Sequence, residues 1–210
     1  MTPLVILGAG GHGRVVHELV SALGGFSIVG FLDIGVQQSS LHRSPILGGD
    51  DLLPQLWSQG VRHAFVALGQ NRLRQQVGAK VRALNFGQPC LVHPSAFVAP
   101  SARLGDGALV MARAVLGTDA ALGEHAILNT GAIVDHDGML ADACHVAPGC
   151  ALAGQVTVGA RTLVGVGSSV RPGITIGADV VIGAGSAVVS DLPDGVWVGG
   201  APAKLLRKPS

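Results

Sequence analysis

The sequence predicts a small parallel α/β domain followed by a parallel β-solenoid. Two observations carry that expectation. Residues 92–193 run in seventeen consecutive hexads without an insertion, and every hexad opens on Val, Leu or Ile. Ahead of them, an apolar run at 4–7 leads into Gly8-Ala9-Gly10-Gly11-His12-Gly13 and then an amphipathic stretch. That is strand, glycine turn and helix in the order of a doubly wound α/β unit.

In chain order, the first helix carries Val15, Val16, Leu19, Val20 and Leu23 on one face. A second strand at 26–32 ends at Asp33, about twenty residues beyond the last glycine of the turn. Asp50 is placed to N-cap a short helix through Trp57. Pro54 lies past the favoured first-turn position, so this helix is expected to be short or irregular. A third strand at 63–68 ends at Gly69. Asn71 then caps a helix with Leu73, Val77, Val81 and Leu84 on one side, and 90–92 leads into the hexads. The expected division is 1–88 and 89–210. Ligands are expected at the carboxyl ends of the strands, where the amides of Gly10, Gly11 and His12 and the helix N-terminus suit a phosphate or diphosphate. A nucleoside diphosphate, NAD and a turn without ligand remain open readings; against NAD, only one mononucleotide half fits before the hexads.

Six residues make one short strand and a corner, and three hexads close a triangular coil whose strands stack in parallel. Position one points into the core. Position five also points inward, beside the corner, and is small: Ala108, Ala114, Ala120, Ala126, Ala132, Gly138, Cys144 and Cys150 in succession. Position three faces outward. A chain with 48% hydrophobic residues, 3% aromatics and 32 glycines suits a narrow prism packed with Val, Leu and Ala. The tail 196–204 leaves the frame and is expected to cap the last coil, whose strand edges would otherwise be open.

A net charge of +1 offers no electrostatic case for nucleic acid or for an anionic membrane surface. No run approaches the ~18 apolar residues of a membrane span, and the first residues lack a basic leader, so no membrane insertion and a cytoplasmic setting are expected. The three cysteines, Cys90, Cys144 and Cys150, are odd in number and contain no CxxC. Neither a disulfide framework nor a zinc ribbon follows. Cys144 and Cys150 read as core filler, with a thiol nucleophile as the alternative.

Polar residues are rare in the hexads, and Asn129, Asp135, His136, Asp137 and His145 cluster within seventeen positions. His136 is third in its hexad and should face outward. A carboxylate beside an imidazole orients it and stabilises its protonated form; Asp137 is the first candidate and Asp135 the second. An ordinary solvated histidine is the plain alternative. His125, His136 and His145 are spaced by eleven and nine. In an eighteen-residue coil His136 stacks on Thr118 and Gly154, not on another histidine, which argues against a zinc site of the γ-class carbonic anhydrase kind.

Together, LGAGGHG at the start, FLD at 31–33, LGQN at 68–71, NTGAIVDHD at 129–137 and the PAK of the tail span nearly the whole chain. They resemble the NeuD/PglD-type sugar acetyltransferases, which join a Rossmann-like nucleotide-binding α/β unit to a left-handed parallel β-helix of hexapeptide repeats. The resemblance implies acetyl-CoA as co-substrate and N-acetylation of a nucleotide-linked (UDP, dTDP or GDP) amino-deoxysugar. O-acetylation of a sialic acid-like sugar and a non-catalytic nucleotide-sugar sensor are the alternatives. It further implies His136 as general base supported by Asp137. Acetyl-CoA would meet His145 and the positions Gly154, Val166 and Ala184. The nucleotide-sugar would meet Gly10, Gly11, His12 and Asp33, with Gly69 and Asn129 also on the substrate side. Lys204 and Arg207 could approach the coenzyme A phosphates. Family members form homotrimers with sites between adjacent prisms, and Met111 and Met139 are read as apolar outward residues consistent with that. One departure stands out: family members often carry two acids after the second strand, whereas here Asp33 is followed by Ile34.

Overall fold

The computed structural model describes residues 1–207, and the chain divides into two compact units, Met1–Leu91 and a second that begins at Val92. In the first, β1 (Thr2–Leu7) pairs in parallel with β2 (Phe26–Leu32) on one side and β5 (His63–Val66) on the other. Its central place explains its composition: Leu4, Val5 and Ile6 are wholly buried, as a strand covered on both faces must be. Between β1 and β2 lies α1 (Gly11–Leu23), closed by Gly24 in the left-handed conformation. It buries Gly13, Val16, Leu19 and Val20 and leaves Val15 exposed, a narrower face than the periodicity suggested.

Four local expectations are corrected. Asp50 does not cap a helix with its side chain. Residues Asp50–Leu52 form a 3₁₀ turn after Gly49, and the Asp50 carboxylate accepts from Lys80 Nζ at 2.8 Å. The chain restarts as α2 (Leu53–Ser58), which brings Pro54 into a first turn, where its missing N–H breaks no helical bond. Asn71 is the first residue of α3 (Asn71–Ala83) and not its cap, and the inward face is Arg74, Gly78 and Val81 while Leu73 is exposed. The third expected strand stops at Val66, two residues early. Unforeseen altogether is a hairpin of β3 (Ser40–Leu41) and β4 (Ser44–Gly48), which extends the sheet as β4 pairs in parallel with β2. His42 and Arg43 turn it with φ of 45° and 69°, a conformation more usual for Asn-Gly.

The second unit is a three-sided parallel β-helix. From Phe97 to Ser169 each two-residue strand pairs with the strand eighteen residues on, as Val115 with Ile133, Ile133 with Ala151, Ala121 with Met139 and Ile127 with His145; at the end of the prism the interval shortens, and Val181 pairs with Trp197. Position one is buried in every hexad from Val110 to Val188, and position five in every hexad from Ala108 to Ser186. Each buried Leu or Val side chain contributes about 1.5–3 kcal/mol. Where position five is polar, its hydroxyl is satisfied within the coil: Thr162 donates to the Gly177 carbonyl and Ser168 to that of Gly183. Position four takes a left-handed backbone conformation at every corner from Gly107 to Gly185, including Arg113, Asp119, His125, Asp137 and Arg161. The tail folds as a strand, Trp197–Gly199, followed by an antiparallel strand, Lys204–Arg207, on one side of the prism. Met139 is exposed as expected, but Met111 is buried, in a patch with its outward neighbours Leu109 and Ile127. Only one of the two methionines can therefore contribute to an outer surface.

Candidate active site

In the α/β unit a cleft of about 150 Å³ opens at the carboxyl ends of β1 and β2, lined in part by Gly8, Asp33, Ile34, Gly49, Asp50 and Leu68. The glycines of the turn divide into two kinds. Gly8 has a φ of +105°, and a Cβ there would stand 2.7 Å from the Ala67 carbonyl oxygen; a Cβ on Gly13 would overlap the Gly8 carbonyl. Both are glycine because the backbone closes on them. Gly10 and Gly69 face open space, and Gly11 nearly so. Nothing in the protein requires glycine at these three, so their lack of a side chain leaves room beside the amides.

Asp33 stitches this region together. Its carboxylate accepts from the Ala9 amide and from the Gly35 amide, each at 2.8 Å, tying the glycine turn to the end of β2. Ile34, standing where relatives of the resemblance often carry a second acid, is almost fully exposed at the rim. Two features here leave no trace in the sequence pattern. Arg74 is buried, and its guanidinium donates to the carbonyls of Leu68 and Gly69 and to Asn71 Oδ1, at 2.9, 3.3 and 2.9 Å. It thereby shapes the loop that presents Gly69. His12 is largely buried, and that burial, with the Arg74 guanidinium nearby, lowers its pKa to about 4.

In the β-helix the corner at His136 is the first place where chemistry gathers. Its imidazole is exposed, and Nδ1 lies 2.8 Å from Asp137 Oδ2. Adjacent side chains on an extended strand point to opposite faces. The left-handed conformation of Asp137, with φ of 58°, turns the chain so that both side chains reach the same side. Asp135 acts on the backbone instead, its carboxylate accepting the His136 N–H at 2.7 Å. The hydrogen bond to Asp137 is the main cause raising the His136 pKa above its ordinary value. With Nδ1–H donated to the carboxylate, Nε2 is the nitrogen left to accept a proton.

Asn129 and His145 meet at another corner. The Thr130 amide donates to Asn129 Oδ1 at 2.8 Å, which fixes the amide's orientation. Its nitrogen then faces His145 Nε2 at 3.0 Å, so Nε2 accepts and the ring proton sits on Nδ1. Val166 and Ala184 are the third residues of their hexads in this same corner column. Backbone bonds from Gly149 to Thr130, from Gly167 to Pro148 and from Gly185 to Val166 link its rungs. Gly154 belongs instead to the His136 column, linked by the bond from Gln155 to the His136 carbonyl. Within one chain, therefore, His136, Asp137 and Gly154 stand at one corner, and Asn129, His145, Val166 and Ala184 at or beside the preceding one. Lys204 is exposed on the final strand; the Arg207 side chain lies outside the described residues. Among the described residues, no group of three or more His, Cys, Asp or Glu could hold a metal, and no helix is long and apolar enough to cross a membrane.

Residues 3–81 match the family described as PglD N-terminal domain, and residues 155–190 match the hexapeptide repeat of succinyl-transferase. UDP-N-acetylbacillosamine N-acetyltransferase of Bacillus subtilis (strain 168) is 36% identical over 108 residues, 51% of this chain and only half the length of that protein. Among solved structures, a histidine mutant of perosamine N-acetyltransferase from Caulobacter crescentus, in complex with CoA and GDP-perosamine, is 47% identical. It has a TM-score of 0.95 and covers 99% of this chain and 98% of its own. The acetyltransferase domain of PglB from Neisseria gonorrhoeae FA1090, in complex with acetyl coenzyme A, is 43% identical with a TM-score of 0.93, over 97% of this chain and 98% of that one. The solenoid is accordingly a left-handed parallel β-helix, as the resemblance implied.

Proposed function

The chain belongs to the hexapeptide-repeat sugar acetyltransferases of the NeuD/PglD type, and on that premise we propose that it transfers the acetyl group of acetyl-CoA to the amine of a nucleotide-linked amino-deoxysugar. One observation carries the chemical part: an exposed imidazole, His136, with a carboxylate at Nδ1 and Nε2 left to act. The sugar nitrogen attacks the thioester carbonyl as a neutral amine. As the C–N bond forms, Nε2 takes the proton that nitrogen must lose; as the C–S bond breaks, the imidazolium returns it to the departing thiolate. Asp137 keeps the ring in the required tautomer throughout. His145, held by Asn129 with its proton on Nδ1, is the candidate contact for the thioester region, with backbone groups at Gly154, Val166 and Ala184 along the same ligand. Asn129 itself stands on the substrate side. The α/β unit takes the nucleotide, its diphosphate against the open amides of Gly10, Gly11, His12 and Gly69, with Asp33 holding the turn in shape. The sugar-nucleotide and acetyl-CoA would both be drawn from the cytoplasm.

The reading is tested by a screen of GDP-, UDP- and dTDP-linked aminosugars with free thiol release as readout. No thiol release with any of them would defeat it. A product whose acetyl group is lost in mild alkali would shift the assignment to an ester, hence to O-acetylation.

Asp137→Asn has a directional consequence for pH. Catalysis needs neutral His136, so the acid limb of kcat/KM reports its pKa. That pKa is raised, chiefly by the hydrogen bond to Asp137. Asparagine cannot supply the charge, so the limb should move to lower pH while the plateau falls, less than in His136→Ala. An unmoved limb in the pH–rate profile would show that Asp137 does not govern this base.

The separation of the two corners bears on assembly. Six residues of chain lie between corresponding positions of the two columns, so one prism does not bring His136 and His145 onto a common corner. A neighbouring copy can supply the missing one. Exposed Phe97 and Ile133, stacked in the sheet between these corners, give that contact an apolar surface. A homotrimer is the expected state. Light scattering at micromolar protein should give three times the chain mass, and a monomer mass would refute it.

A further inference from the structure

The third position of the hexads on the His136 column is held in turn by Pro100, Thr118, His136, Gly154, Pro172 and Ser190. Five of these six rungs carry a side chain, so the corner does not ask for glycine. Nor does the backbone at Gly154, whose φ lies outside the left-handed region, so alanine could adopt it without strain. What excludes a side chain is the ring above. A Cβ built on Gly154 would fall 2.5 Å from His136 Cε1, closer still to Nε2, and 3.1 Å from Cδ2. Real Cβ atoms do not approach that closely, so the ring would have to move. The imidazole is thus held on two sides: Asp137 fixes Nδ1, and the bare Cα of Gly154 provides the surface against which the other edge rests.

We infer that Gly154 is a positioning residue, its missing side chain forming the seat of the His136 imidazole. This rests on the reading of His136 as general base. It differs from a role for Gly154 in holding acetyl-CoA, because alanine keeps the backbone N–H and C=O and adds only the methyl group that displaces the ring. A ring shifted by about an ångström loses its alignment with the attacking amine and its hydrogen bond to Asp137, and a misplacement of that size can cost about 10²-fold in rate.

A double-mutant cycle on the full-length enzyme tests it. Gly154→Ala is expected to lower kcat by about 10²-fold, leave the acetyl-CoA Kd unchanged by calorimetry, and lower the His136 pKa followed by imidazole NMR. In a His136→Ala background the same substitution should change kcat less than twofold, since the ring it acts through is gone. Should Gly154→Ala strain the fold, His136→Ala should restore its melting temperature. Equal losses in the two backgrounds, a weakened acetyl-CoA Kd, or wild-type kcat with an unmoved His136 titration would each overturn the inference. Failure of the base assignment itself shows separately, as full activity in His136→Ala alone.

Discussion

Replacing His136 by alanine is expected to lower kcat by about 10²–10⁴-fold at pH 7, the range typical for loss of a general base. The acetyl-CoA Kd should stay nearly unchanged, because the ring is assigned to take a proton from the acceptor amine and not to hold the coenzyme. The loss should shrink as pH rises, since solvent hydroxide can then take the proton that Nε2 would have accepted as the C–N bond forms. Steady-state kinetics from pH 6 to 9 on the best aminosugar found in the screen decide the matter. Turnover near that of the unmodified protein at pH 7 would remove His136 from the mechanism. A uniform loss across the whole pH range would mean that the ring acts by some route other than proton transfer.

The second large effect concerns stability and lies in the α/β unit. His12 has a folded pKa of about 4, burial being the larger cause and the Arg74 guanidinium the smaller. An unfolded histidine titrates near 6.5, so between these values the unfolded chain binds a proton that the folded chain does not. The unit should therefore lose stability as pH falls from about 6.5 to about 4, by about 3 kcal/mol in all, and this contribution should level off below. The chain has two tryptophans, Trp57 and Trp197, one in each unit. In a Trp197→Phe background, Trp57 fluorescence follows urea unfolding of the α/β unit alone. His12→Asn should flatten the acid slope of its midpoint. A slope equally steep with and without His12 would refute the assignment.

What could be read from the chain without a structure was whatever burial makes periodic. Val110, Leu116, Leu122 and their successors recur every six residues because each must enter the same core, and Ala108 to Ala132 are small because the corner beside them is narrow. The fourth position was missed although it is equally regular in space. A left-handed corner constrains φ and not hydropathy, so Gly107, Arg113, Asp119 and His125 satisfy it while sharing no visible property. Arg74 passes for a polar-face residue, because a guanidinium satisfied by the carbonyls of Leu68 and Gly69 leaves no mark in a helical period. The hairpin at Ser40–Gly48 is too short to establish an alternation, and His42-Arg43 is not a recognisable turn pair. His136 could be found because Asp137 follows it directly. That Gly154 lies beneath the ring follows from the eighteen-residue coil, but that the ring fills the space of its side chain required coordinates.

The pairing of successive strands at an interval of eighteen residues along the prism sets a rule of length for this molecule. Removing or adding six residues between His145 and Val166 would keep each apolar side chain in the core, and a hydropathy plot would look undisturbed. Yet everything downstream would rotate by a third of a turn. Val166 and Ala184 would leave the corner of His145 for a neighbouring one, and the Trp197–Arg207 cap would close a different side. Only a change of eighteen residues, one whole coil, returns each downstream group to its own edge. Along this stretch the fold therefore tolerates steps of six, whereas the alignment of the ligand-facing edges tolerates only steps three times as large.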